Sequence, residues 1–192
     1  MADFIDDQLS LPKASWNLWE DRRGIHTFTA STVVGGLRAA ANFARMFANH
    51  SDAERYEGVA ERIVGGMREN LFSTGHGHFF RALNSNDDVN FEPDSILDSS
   101  MFGLFYFGAF DPNDDVVVKT MSKIEERLWI NQKIGGIGRF EDDPYMRVSD
   151  ETNGNAWIIC TLWLAEWYTA KAETIEDLAR TRELLDLSLI HI

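Results

Sequence analysis

The stretch TFTASTVVGGLRAAANFARMFANHSDAERYEGVAERIVGGMRENL, Thr27 to Leu71, decides the fold class. Its first half is rich in alanine. Val33, Leu37, Ala40, Ala44 and Phe47 recur at helical spacing there and predict a helix over 27–49. The second half opens with Ser51 and Glu54 in a capping-box pattern, then carries Tyr56, Val59, Ile63, Met67 and Leu71 as one apolar stripe. Arginines and glutamates fill the gaps, so this helix buries one face and solvates the other. A small, mostly apolar helix followed by an amphipathic one reads as a helical hairpin.

The alternation continues downstream. Asp94 to Phe110 is apolar almost all round, with Ile96, Leu97, Met101, Phe102, Leu104, Phe105 and Phe107, and predicts a second buried helix. Asp111-Pro112 reads as a cap with proline in the first turn of a helix to Trp129, whose inward face is Val117, Met121, Ile124 and Leu128. Asn155 to Lys171 is again apolar on most sides, with Asn155 as its cap. Thr174 and Asp177 open a last amphipathic helix that runs to about Asp186. No run of alternating strand residues stands out. Helices one, three and five thus form an inner layer, and two, four and six an outer one. Turns from inner to outer helices are short, near His50, Pro112 and Glu173. The returns, Phe72 to Pro93 and Ile130 to Gly154, are long. The inner helices begin near residues 27, 94 and 155. The expected fold is all-α, three hairpins of a solenoid or of an α/α barrel. Three hairpins cannot close a toroid.

Composition narrows the partners. The chain has 192 residues, of which 44% are hydrophobic and 26% charged, enough for a real core. Lysine and arginine total 18 against 31 aspartates and glutamates, a formal net charge of −13. That argues against nucleic acid and against an anionic membrane surface. One cysteine, Cys160, allows no internal disulfide, and its place among Ile159, Leu162 and Trp163 suggests a buried inert thiol. There is no apolar run long enough to span a bilayer. The start, Met1 to Ser10, is acidic and lacks the features of a secretory signal. The cytoplasm is then the default expectation, and a fragment leaves location open. An aromatic content of 12%, including six tryptophans, suggests a site lined with flat rings.

Long loops in a compact domain usually carry function, and here they all fall where inner helices begin. Trp16-Asn17-Leu18-Trp19-Glu20-Asp21-Arg22-Arg23 lies on that same side. Aromatic walls around Glu20 would desolvate it and raise its pKa, as a general acid needs. Surface ion pairing among Glu20, Asp21, Arg22 and Arg23 is the plainer alternative. A second cluster is Gly138-Arg139-Phe140-Glu141-Asp142-Asp143-Pro144-Tyr145 with Asn153-Gly154-Asn155-Ala156-Trp157. Arginine with adjacent acids can hold sugar hydroxyls by charge-assisted hydrogen bonds, or the loop is simply solvated. His76-Gly77-His78 lacks third and fourth ligands, and Asp87-Asp88 and Asp111 to Asp115 lack the pattern of a calcium loop, so neither a metal nor a cofactor is expected. Asn49-His50-Ser51 matches a glycosylation triplet, a common chance match.

Together these segments resemble glycoside hydrolase family 15, the glucoamylases with the related glucodextranases and trehalases. The resemblance rests on Leu11-Pro12-Lys13 with Trp16 to Thr29, on Leu97-Asp98-Ser99-Ser100 with Phe110-Asp111-Pro112, on Gly136 to Asp143, and on Asn153 to Trp157 with Cys160-Thr161-Leu162. It implies an (α/α)6 barrel, of which 1–186 would be about three of six hairpins. By resemblance Glu20 matches the general acid, Trp19 the aromatic beside it, and Asp21 a substrate-binding position usually held by glutamate. Arg139 and Trp157 match substrate-binding positions, with Phe140 and Ala156 where the family has tyrosine and proline. Either Asp142 or Asp143 matches a sugar-contacting acid. The family inverts the sugar centre, and its general base lies in a later hairpin with no match here. The resemblance therefore implies an α-glucan or oligosaccharide substrate and an inactive fragment of an exo-acting hydrolase. A trehalase of the same family and a non-catalytic helical carbohydrate-binding scaffold are the alternatives. Oligomeric state is left open. After Asp186 the resemblance stops, and Leu187 to Ile192 looks like a translated sequencing adapter. Its removal is then expected to change stability by less than about 0.5 kcal/mol.

Overall fold

The computed structural model describes residues 5–6, 8–84, 90–133, 135–147, 149 and 151–190. They fall into two units: 1–95 with 103–110, and 96–102 with 111–192.

In the first unit the hairpin forms as its periodicity predicts, with α1 at Thr27–Met46 and α2 at His50–Gly66, ending in a π-helical turn at Met67–Leu71. The cap of α2 differs from expectation. Asn49, not Ser51, holds the helix start, accepting the Asp52 N–H at 3.3 Å through its side-chain oxygen. The buried stripe of α1 is also turned from the expected one. Ala30, Val34, Leu37 and Ala41 face inward, while Phe43 and Phe47 are 62% and 70% exposed. Small residues win the inner face because α1 lies along α2, where Ala53 and Ala60 are buried in turn. Gly35 serves a second close approach: a β-carbon there would stand 3.0 Å from the Phe107 carbonyl oxygen.

Strands appear where none stood out in the sequence. A two-stranded pair joins β1 (Ile5–Asp6) to β2 (Leu11–Pro12), and a hairpin joins β5 (Phe72–Ser73) to β6 (His78–Phe79). A further, four-stranded antiparallel sheet is ordered β3 (Ser15–Trp16), β4 (Arg23–His26), β7 (Ala82–Asn84), β8 (Glu92–Asp94). Among the described residues no strand exceeds four residues, too short for a period of two to show. The expected helix over Asp94 to Phe110 is not formed as one element. Asp94 ends β8, and residues 103–106 make a single turn, α3 (Gly103–Tyr106). The intervening Ser99–Phe102 is a 3-10 turn of the second unit.

In the second unit, α4 (Asp115–Leu128) buries the predicted face, Val117, Met121, Ile124 and Leu128. Its cap is Asp114, which accepts the Val116 N–H at 3.2 Å; Asp111 instead holds a turn through the Asn113 N–H at 2.8 Å. The next helix, α5 (Ile158–Lys171), starts after Trp157 with no side-chain cap. Asn155, the expected cap, donates to the carbonyls of Tyr145 and Met146. Trp167 is buried and donates from Nε1 to the Pro112 carbonyl at 3.1 Å. Thr174 and Asp177 do close on one another, at 2.9 Å between Thr174 N and Asp177 Oδ2. A 3-10 turn, Glu176–Leu178, then leads into α6 (Ala179–Ile190). That helix passes the expected end at Asp186, and both Leu184 and Ser188 on it are buried. Among the described residues no helix is long and apolar enough to cross a membrane.

Candidate functional site

Each unit contributes one group of predicted residues. In the first, β3 and β4 pair with Trp16 opposite Arg23, and the residues between them form the turn that carries Trp19, Glu20 and Asp21. Asn17 builds this turn. Its backbone N–H donates to the Arg22 carbonyl (3.0 Å) and its own carbonyl accepts the Glu20 N–H (3.1 Å). The Asn17 side chain, itself buried, accepts the Asp21 N–H at 3.1 Å and donates to Asp21 Oδ1 at 2.7 Å. Asp21 is thereby tied into the turn, and its other oxygen lies 3.8 Å from Arg22 Nε. Glu20 sits at the tip with φ +58, in the left-handed region that side-chain-bearing residues rarely adopt. It is exposed, as is Trp16, and Trp19 is half-buried, so the expected aromatic enclosure of Glu20 is not formed by the described residues of this unit.

In the second unit Arg139 and Asp143 form a fork. Arg139 Nε and an Nη each donate at 2.7 Å to the two oxygens of Asp143. Oδ1 also accepts the Tyr145 N–H at 2.9 Å. The Asp143 side chain is fully buried and that of Arg139 is 13% exposed. Burial alone would raise the Asp143 carboxyl, but the Arg139 guanidinium and the Tyr145 N–H outweigh it and leave it below the ordinary carboxylate value. The Arg139 guanidinium also lies 5.0 Å from the Trp157 ring, 4.8 Å from that of Tyr145 and 5.2 Å from that of Phe140. Tyr145 and Trp157 touch at a ring separation of 5.9 Å. Trp157 Nε1 is buried with no hydrogen-bond partner among the described residues.

The backbone around this cluster is held from several sides. Ser99 N–H donates to the Arg139 carbonyl at 2.7 Å, and Leu97 N–H donates to Glu141 Oε2 at 3.0 Å. Gly154 has φ +113, and a β-carbon on it would stand 3.1 Å from Asp143 Cβ, so only glycine fits against that carboxylate. The two acids left open by the sequence now separate. Asp143 is the one paired with Arg139. Asp142 is exposed at φ +57, its N–H donating to Asn153 Oδ1 at 2.6 Å. Asn17, Tyr145 and Asn153 were not singled out as site residues. Asn17 stands inside the quoted motif, but its three side-chain contacts become visible only once the turn is folded.

Other candidates resolve locally. His76 bonds Ser73 Oγ at 2.9 Å through Nδ1, and His78 bonds the Phe79 carbonyl at 2.7 Å. Among the described residues no three metal-binding side chains gather. Asp87 and Asp88 lie outside the described residues.

The sequence profile described as Glycosyl hydrolases family 15 matches residues 1–187. The chain belongs to this family. A glycosyl hydrolase of Methanocaldococcus jannaschii, described as uncharacterized, is 28% identical over 163 residues, covering 84% of this chain and 24% of that protein. Glucoamylase 1 of Rhizopus oryzae is 23% identical, covering 80% of this chain and 27% of its own length. The chain therefore spans about a quarter of the length of these relatives. Among solved structures, a bacterial glucoamylase complexed with acarbose superposes with a TM-score of 0.72 over 95% of this chain and 30% of that one, at 19% identity. The glucoamylase of Saccharomycopsis fibuligera gives 0.62 over 81% and 35%, at 20% identity. The fold is the family 15 fold, all-α and a part of an (α/α)6 barrel.

Proposed function

We propose that this chain is part of an inverting, exo-acting glycoside hydrolase of the glucoamylase type, releasing glucose from α-linked glucans or oligosaccharides. The observation that carries the reading is the Arg139 cluster. A guanidinium locked edge-on by Asp143, with the Trp157 and Tyr145 rings on its flanks, offers a sugar both donors and flat apolar faces. Family membership supports the hydrolase class.

In this reading Glu20 is the general acid that protonates the departing glycosidic oxygen. Its place at an exposed turn tip suits a group that must reach substrate. Trp19 flanks it. Arg139 and Trp157 hold the sugar, Asp143 sets the Arg139 guanidinium in place, and Asp142 contributes from the neighbouring turn. Asp21 acts chiefly through Asn17, by fixing the turn. Inversion needs a second carboxylate about 6.5–9.5 Å from the acid to activate water. No residue here is assigned that task, so the 192-residue chain by itself is expected to release no glucose.

The test uses the whole protein of which this sequence is part. Glucose release is assayed on maltose, isomaltose, starch and trehalose, with Glu20→Gln as the diagnostic variant. Turnover is expected to fall by about 10²–10⁴-fold with binding largely kept. Activity within tenfold of the parent would remove Glu20 from the role, and release from trehalose alone would move the substrate to that disaccharide.

A further inference from the structure

His26 is 3% exposed at the end of β4. It is also the residue before the first turn of α1, yet its side chain caps no helix N–H. The ring instead reaches across the hairpin: Nε2 lies 3.2 Å from the Ser15 carbonyl on β3. A carbonyl can only accept, so Nε2 carries the proton and Nδ1 presents a bare lone pair. Nδ1 is buried and without a hydrogen-bond partner among the described residues. Ser15 and Arg22 bracket the Glu20 turn, where the Arg22 carbonyl accepts the Asn17 N–H. A further tie runs from the first turn of α1 to the same strand, between Ser15 Oγ and Thr29 Oγ1 at 3.4 Å.

We infer that His26 is a positioning residue for Glu20, its neutral imidazole pinning the strand that leads into the turn to the strand and helix that leave it. This rests on the reading of Glu20 as the acid, but the coupling of His26 to the turn stands or falls by itself. The charged groups that face the ring are Arg81 and Asp94, joined to each other at 2.6 Å and both buried. Burial is the largest influence and pushes the His26 pKa below its ordinary value. The Ser15 and Arg22 carbonyls oppose that, Arg81 adds to it and Asp94 opposes it. The folded protein therefore holds the proton less well than the unfolded chain. The stability His26 contributes is present above the unfolded value of 6.5 and is lost as pH falls through the lower folded value. A second cation beside Arg81 loosens the anchor, and the turn with it.

Nuclear magnetic resonance on the full 192-residue chain tests this. Near neutral pH the His26 ring nitrogens should report the Nε2–H tautomer. As pH is lowered through the His26 titration, below 6.5, exchange protection of the Asn17 and Glu20 amides should fall about fivefold, the worth of one hydrogen bond. The Ile124 amide in α4 should show no such step. In His26→Gln the step should vanish, and in Glu20→Gln it should persist. An Nδ1–H tautomer in the unaltered chain, a measurement that needs no variant to fold, would overturn the inference. So would an undiminished step in His26→Gln. Loss of the proposed acid role for Glu20 would show in glucose release and leave these signals as they are.

Discussion

Asp143 receives both arms of the Arg139 guanidinium at 2.7 Å each, across a span of only four residues. The carboxylate is buried, so its charge depends on that partner. The pair fixes a loop without helical or strand structure, and it turns the guanidinium so that its faces meet three aromatic rings.

Removing the acid should be costly. Asp143→Ala leaves a partly buried cation alone and is expected to destabilise by about 3 kcal/mol, the lower end for a broken buried pair because Arg139 keeps a solvated edge. The Asp143 carboxyl lies below its ordinary value of 3.8, so its contribution is present above that pH and is lost as pH falls through the folded value. Thermal melts from pH 6 downward should show the gap between the native chain and Asp143→Asn closing in acid. A constant gap would mean the pair adds nothing electrostatic.

Asn17→Ala deletes the side-chain bonds that close the Glu20 turn. Amide protection across 17–22 is expected to drop by about tenfold, ~1.4 kcal/mol, with little change in α4. Equal loss in both places would show a global defect instead of a local one.

Cys160 should be inert in the folded chain. Burial pushes its thiol up to about 12, only partly countered by the Ser99 hydroxyl that donates to Sγ at 3.2 Å. A thiol reagent at pH 8 should label it at least a hundredfold slower than in denaturant, since the thiolate is the reactive form. Comparable rates would mean the helix opens readily there.

Ending the chain at Asp186 tests the last turns of α6. The sequence predicts no effect, but Ser188 is buried and the Leu187 side chain comes close to Gly135 and Gly136. Truncation should cost about 1 kcal/mol in lost apolar burial, a fall of about 2–4 °C in Tm. An unchanged melt would restore the original expectation.

Helices with one apolar stripe were legible, α4 most fully, because amphipathic periodicity encodes both the element and its buried face. The segment from Asp94 to Phe110 was misleading for a physical reason. Its residues are apolar because they are buried, and burial alone does not distinguish a helix from packed turns. The signal against a helix was the polar set Asp94, Asp98, Ser99 and Ser100, all buried: Asp94 pairs with Arg81 at 2.6 Å, Ser99 donates to Cys160 Sγ at 3.2 Å, Asp98 pairs with Phe140 as a β-bridge, and Asp98 also accepts the Ser100 N–H at 2.8 Å within its own turn. At the candidate site, motif resemblance nominates the residues but does not separate Asp142 from Asp143. Adjacent aspartates differ only in which way the turn points them.

Glu20 and Asp142 share one more property, a left-handed backbone at φ +58 and +57. A residue there must satisfy two independent demands, one on its main chain and one on its side chain, and few amino acids meet both. Glycine would relax the bend and erase the carboxyl. Valine or isoleucine would add a branched carbon where the main chain has least room. Glutamine matches glutamate in shape and in conformational penalty, so at position 20 it changes the chemistry while leaving the bend as it was. Random mutagenesis at these two tips should accordingly return a narrow spectrum of folded variants, with glycine and asparagine over-represented and β-branched residues missing.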